Sequence, residues 1–227
     1  MLDQDIYQVI TNIKKGEKEY ENFQVSIVNE LNIPIGFLKP ITFNLINYDN
    51  EILPFLTKWR RMFIKYFLTQ FTPTVERTSK WLKEIVIPSE DRILFLIYSS
   101  DGTLIGNFGV CNVKCHEVEL DNLIRGEKGG DLQLIYYAEV CLLRWIFSQF
   151  EVSSAVLHVF SNNQKTISLH EKVGFKIVRE YRLWKESFGE EIIYSTINES
   201  GELAKFTYLE MCLTRDEFTT RYPISLN

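Results

Sequence analysis

Residues 117–160 carry the pattern that most constrains the fold. A strand-like run over residues 117–124 enters the glycine-rich stretch Arg125-Gly126-Glu127-Lys128-Gly129-Gly130-Asp131. An apolar segment over residues 132–150, suited to a largely buried helix, and a β-branched run over residues 152–160 follow. A strand that passes through glycine-rich chain into a helix gathers backbone N–H groups at the positive end of that helix, a place suited to a phosphate or pyrophosphate. A plain strand-to-helix turn has the same composition, so this segment alone leaves both readings open. It lacks the lysine-serine or lysine-threonine ending of a nucleoside-triphosphate loop, and Gly126, Gly129 and Gly130 do not fit the dinucleotide GxGxxG spacing.

The surrounding segments set the class. Residues 93–98, the turn Ser100-Asp101-Gly102 and residues 103–113 predict a β-hairpin. A helix over residues 52–68 is opened by Asn50 and Glu51, and Thr72-Pro73-Thr74-Val75-Glu76 starts a second, which runs to about Val86 before Pro88. Residues 41–47 suit a strand. Asn162 or Asn163 caps a helix ending at Lys172, before Gly174, and residues 175–184 and 204–213 read as a closing antiparallel pair. Helices thus separate several strands while the hairpins exclude a wholly parallel sheet, which gives a mixed α/β class with a mostly antiparallel sheet. Residues 1–40 hold a short amphipathic helix through Ile6, Val9, Ile10 and Ile13, an alternating run at 23–28 and irregular chain at 32–40. They are expected as an N-terminal appendage to a domain over residues 41–227.

Composition narrows the partners. A hydrophobic fraction of 45% supplies a core, and a net charge of −5 argues against a protein-wide nucleic-acid footprint. No run of about eighteen apolar residues and no signal-like terminus is present, so no membrane insertion is expected and the location is expected to be cytoplasmic. Cys111, Cys115, Cys141 and Cys212 are too scattered for a disulfide framework. Cys111, Cys115 and His116 have ligand-like spacing but no second pair to complete a tetrahedral site, so no metal is expected.

The stretch Asn163-Gln164-Lys165-Thr166-Ile167-Ser168-Leu169-His170-Glu171-Lys172-Val173-Gly174-Phe175 closely resembles the Asn-x-x-Ala-x-x-x-Tyr-Glu-Lys-x-Gly-Phe segment of the GNAT family of N-acetyltransferases. The element order over about residues 41–214 is similar as well. The resemblance implies a central mixed, mostly antiparallel sheet with two splayed strands, and acetyl-coenzyme A as acyl donor. Its pyrophosphate would lie over Gly126, Lys128, Gly129, Gly130 and Asp131, after Leu123, Ile124 and Arg125, and its pantetheine arm between the splayed strands near Asn163. The family's phosphate loop usually reads Gln/Arg-x-x-Gly-x-Gly/Ala; from Arg125, Lys128 takes a glycine's place while Gly130 fits. His170 stands where the family has the tyrosine often assigned as general acid.

Acetyl transfer from a thioester needs a neutral amine, oxyanion stabilisation and a proton for the departing thiolate. His170 is the candidate donor, with a helix-surface histidine as the plainer reading. Glu117, Glu119 and Asp121 alternate along a strand and share one face; Glu119 is the preferred base and Asp121 lies nearer the splay, while a solvated acidic edge remains the competing reading. His116 and His158 match no motif and are expected to be structural. Trp59, Arg60, Arg61, Thr74 and Trp81 resemble the acceptor side of family members, and residues 119–127 resemble acetyltransferases of surface-polysaccharide sugars. The resulting expectation is an N-acetyltransferase of a small amine, foremost a nucleotide-linked amino sugar. A protein or peptide amine and a non-catalytic acyl-coenzyme A sensor are the competing readings.

Overall fold

The computed structural model of the chain describes residues 6–48, 51–114, 116–197 and 200–223. Asn50 and Cys115, named above as a cap and a metal-like ligand, lie outside the described residues. The chain opens with α1 (Ile6–Lys15), β1 (Val25–Val28), β2 (Pro34–Pro40), α2 (Phe43–Tyr48), α3 (Ile52–Phe63), β3 (Thr69–Gln70) and α4 (Val75–Trp81). It continues through β4 (Ile93–Ser99), β5 (Leu104–Lys114), β6 (Glu117–Arg125), α5 (Leu134–Gln149), β7 (Ser154–Phe160) and α6 (Gln164–Val173). Then come β8 (Lys176–Tyr181), β9 (Trp184–Phe188), β10 (Glu191–Ser195), β11 (Glu202–Leu203), β12 (Tyr208–Thr214) and α7 (Arg215–Arg221).

The main sheet has eight strands in the order β1-β2-β4-β5-β6-β7-β12-β8. Its neighbours are antiparallel except β6 and β7, which run parallel because α5 carries the chain across between them. β4 shows why its sequence is a continuous apolar run. Ile93, Phe95 and Ile97 face one core with residues of α1 and α5, whereas Leu94 and Leu96 face a second with Leu53, Leu56 and Trp59 of α3. Alternation alone therefore fills both faces, and helices cover the sheet on both sides. A four-stranded sheet, β11-β9-β10-β3, stands apart from the main one.

Residues 6–40, expected as an appendage, are built into the main sheet and its core. β2 pairs with β4 from Gly36↔Ser99 to Pro40↔Phe95, and Val9, Ile10 and Ile13 of α1 belong to the first core. Lys14 reaches from α1 to the carbonyls of Val86 and Ser89, and burial pushes its ammonium down to about 8 against the attraction of Asp91 and Glu90. The segment expected to be irregular at 32–40 holds β2, whose two prolines sit at its ends, where no ladder N–H is missed. The strand expected over residues 41–47 is instead a helix. Ile41 makes one last sheet bond to the Leu94 carbonyl, and the Thr42 hydroxyl then accepts the Leu45 N–H, capping α2. The segment at 175–184 also divides: β8 closes the main sheet on β12, whereas Trp184 already belongs to the β9–β10 hairpin.

Candidate active site

β6 and β7 pair from Glu117↔Ser154 to Leu120↔Leu157 and then part, although β6 continues to Arg125 and β7 to Phe160. The break has a local cause. Asn122 takes the left-handed conformation (φ 53°), one that asparagine tolerates. Its N–H donates to Asp121 at 2.7 Å, and its carbonyl accepts the Asn107 amide at 2.5 Å. A cavity of about 1080 Å³ opens at the splay, bounded by β6 and β7, by the α3–α4 side and by α5 and α6.

Leu123, Ile124, Arg125 and Asn163 line that cavity. Gly126, Lys128, Gly129, Gly130 and Asp131 form the loop between its wall residues Arg125 and Leu132. The N–H groups of Gly126 and Glu127 both donate to the Ile105 carbonyl at 2.9 Å, tying the start of the loop to β5. Arg125 holds the Gly129 carbonyl at 2.6 Å, and Asp131 accepts the Gln133 N–H at 2.7 Å ahead of α5. Gly130 needs to be glycine twice over: its φ is +64°, and a Cβ there would press on Ser99 and Leu134. Trp59, expected beside substrate, is fully buried under this loop instead. Its indole packs against Gly126, and its N–H donates to Glu127 at 2.8 Å.

On the strand side, Glu119 and Asp121 both reach the cavity, as their alternation predicts. They are differently committed. Asp121 binds Arg92 at 2.8 Å and the Asn122 side chain at 2.5 Å, so it helps to hold the left-handed Asn122. Glu119 accepts from Asn112 at 2.5 Å and meets His158 Nδ1 at 2.8 Å. Burial works to raise the Glu119 carboxyl, but the bonds from His158 and Asn112 and the charges of His158 and Arg92 leave it below the usual carboxylate range. His158, expected to be structural only, lines the cavity. It lies between Glu119 and Glu210 (Nε2 to Oε2 3.7 Å) and stacks on Tyr208 with centroids 5.0 Å apart. Burial would lower its pKa; the two carboxylates outweigh that and raise it. A lone polar residue in the apolar run of β7 was the one sign of it in the sequence.

His170 is buried at 4% exposure rather than displayed on the helix surface, and it lines the cavity from α6. Its Nδ1 lies 2.7 Å from Glu139 Oε1 on α5. Across the cavity, Arg60 donates to the Thr69 carbonyl at 3.1 Å and lies 3.4 Å over the Phe67 ring. Burial brings its guanidinium down to about 10 against the pull of Asp121. Trp81 joins this wall, as do Lys65, which the sequence places on the same helix as Arg60 without a role, and Arg77, which no motif marks and which lies 4.8 Å over Phe71. Arg61 does not join them: its guanidinium donates to the Pro73 carbonyl at 2.9 Å.

A scan of protein families matches residues 50–193 to the acetyltransferase (GNAT) domain. The chain belongs to the GNAT acetyltransferase family. Its fold is shared with apo FdhC, a nucleotide-linked sugar GNAT, at a TM-score of 0.59 and 12% identity over 88% of this chain and 97% of that one. A GCN5-related N-acetyltransferase from Brucella melitensis superposes at 0.62 with 12% identity, covering 87% and 85%. Spermidine N-acetyltransferase from Vibrio cholerae in complex with CoA and spermine gives 0.57 with 15% identity over 80% and 96%. Comparison with curated protein sequences found no significant match. This GNAT chain is an N-acetyltransferase, and acetyl-coenzyme A is its acyl donor. The splay beyond Leu120 and the glycine cradle over Ser99 and Leu134 suit such a donor. Among the described residues no helix is long and apolar enough to cross a membrane, and no cluster of three metal-ligating side chains occurs.

Proposed function

We propose that the chain acetylates a small amine carried on an anionic group, foremost a nucleotide-linked amino sugar. The composition of the acceptor wall carries this reading. Arg60, Arg77 and Lys65 line the cavity with Phe67 and Phe71, while Asp121 is taken up by Arg92. Cationic and aromatic groups together suit phosphates and a stacked base. A polyamine would be better matched by free carboxylates.

In this scheme the loop over Lys128, Gly129 and Gly130, together with Arg125, holds the pyrophosphate, and Leu123, Ile124 and Asn163 flank the pantetheine. Gly126 and Glu127 contribute by closing the loop on Ile105, since their N–H groups are already engaged. The proton of the attacking amine passes by way of Glu119, directly or through a water, to His158 in the fraction whose imidazole is neutral, and Asn112 and Glu210 help to hold the pair. His170 gives a proton to the departing thiolate.

The test is release of free thiol from acetyl-coenzyme A by the purified full chain with nucleoside-diphosphate amino sugars, the matching free amino sugars, spermidine and peptide amines. The highest kcat/KM is expected for the nucleotide-linked amines. Faster turnover of spermidine or a peptide would overturn the acceptor assignment. Coenzyme A binding without thiol release from any amine would favour a sensor.

A further inference from the structure

Glu139 is out of keeping with its surroundings. It lies in the middle of α5 among Ala138, Val140, Leu142 and Leu143, with no exposure at all. One carboxyl oxygen meets His170 Nδ1 at 2.7 Å, and the other, Oε2, is buried without a hydrogen-bond partner. A carboxylate with one bond in such a place is disfavoured unless its charge is matched.

We infer that Glu139 is a positioning residue which keeps on Nε2 of His170 the hydrogen that the ring donates. The inference rests on the reading of His170 as the donor. The buried pair is favoured when it carries no net charge, and two proton arrangements satisfy that condition. Either an ionised Glu139 faces an imidazolium, or a protonated Glu139 donates to Nδ1 of the neutral ring. In both, Nε2 bears a hydrogen. The third arrangement, with bare Nε2 and an ionised Glu139, leaves a buried negative charge. Two features add to this preference. His170 lies in the last turn of α6, where the helix dipole favours positive charge, and Phe175 sets the ring plane edge-on at 5.8 Å. A tyrosine at this place would keep its proton across neutral pH unaided; an imidazole needs a partner to do so.

The step balances as follows. The Nε2–H bond breaks, its electron pair stays on Nε2, and the proton forms an S–H bond with the thiolate. The proton shared by the pair settles on Nδ1, Glu139 is left ionised, and a proton from solvent restores Nε2–H once product leaves. Other ionisable groups are placed for other work. Tyr136 of α5 bonds Tyr222 of α7, Lys172 of α6 lies over the Tyr136 ring, and Arg221 of α7 bonds the Lys172 carbonyl. Lys165 of α6 lines the cavity, as do Glu119, His158 and Tyr208 on its strand side.

The experiment compares the pH dependence of single-turnover acetyl transfer in the wild type, Glu139→Gln and His170→Phe. Glu139→Gln keeps the shape of the site but removes the matching charge. Transfer at pH 8 is expected to be roughly tenfold slower, with the high-pH limb displaced to lower pH and KM values little changed. His170→Phe is expected to abolish the limb. An unmoved limb in Glu139→Gln, together with a limb lost in His170→Phe, would overturn the role of Glu139 and leave His170 as donor. An unchanged profile in His170→Phe would overturn the donor reading itself. Should Glu139→Gln fail to fold, nitrogen NMR of the wild type labelled at histidine decides: Nε2 of His170 is expected to be protonated through pH 8, and a bare Nε2 would refute the inference.

Discussion

His158 and His170 each hold a carboxylate at hydrogen-bond distance beside one cavity, at 2.8 and 2.7 Å, yet they stand on different ground. The His158–Glu119 pair keeps about a fifth of each side chain exposed (22% and 19%) and is braced by Asn112 and Glu210. The His170–Glu139 pair is sealed at 5% and 0%, with one carboxyl oxygen left alone. An open, multiply bonded pair can change its charge because solvent and neighbouring dipoles absorb the difference. In a sealed pair a change of charge is costlier, because little solvent is there to absorb it. In the proposed scheme the first pair takes the proton of the arriving amine and the second supplies the one that the thiolate receives.

The largest effect should fall on the open pair. Glu119→Gln keeps a group able to meet His158 and Asn112 but removes the acceptor, and steady-state assays are expected to show kcat/KM lower by about 100-fold or more. A loss smaller than about threefold would end the division of labour between the pairs, because a passive Glu119 costs little when its shape is kept.

The next largest concerns the glycine loop ahead of α5, the helix that carries Glu139. Gly130→Val places a branched side chain at φ +64° against Ser99 and Leu134, and a loss of about 1–3 kcal/mol in stability is expected. The rise in thermal midpoint that coenzyme A gives the wild type should shrink markedly in this variant. An undiminished rise would detach the glycine loop from pyrophosphate binding.

How much of this could be read in advance depends on the range of the interactions. The β4–β5 hairpin was legible because its turn, Ser100-Asp101-Gly102, lies between its strands, and the Asn163–Phe175 motif placed His170 because a helix fixes its own spacing. Glu139 and His158 were not legible as site residues. Each meets its partner only after the chain has folded, across 31 and 39 residues respectively. α2 was misread as a strand because Ile41, Phe43, Leu45 alternates as a strand would, and the Thr42 cap overrode that period. β2 was missed because Pro34 and Pro40 look like breakers, whereas at strand ends they interrupt nothing.

The smallest expected effect tests the open pair through stability. His158 has a pKa raised in the folded protein by Glu119 and Glu210 against the opposing effect of burial, so its protonated form is bound more tightly there than in the unfolded chain. That contribution is complete below the unfolded value of about 6.5 and disappears as pH rises through the folded value. Glu119, lowered by its hydrogen bonds, acts in the opposite sense: its contribution is present above the ordinary carboxylate range and lost only as pH falls through its folded value. Between about pH 5 and 6.5 both contributions stand together. His158→Gln can still donate to Glu119 but has no titration of its own. The stability advantage of the wild type over this variant should therefore be greater at about pH 5.5 than at about pH 8.5, by less than about 1 kcal/mol because the pair is partly solvated. Urea melts of both proteins at the two pH values measure it. An advantage that stays constant or grows with pH would mean that His158 is not held in its charged form by Glu119 and Glu210, and the contrast between an open and a sealed pair would then rest on burial alone.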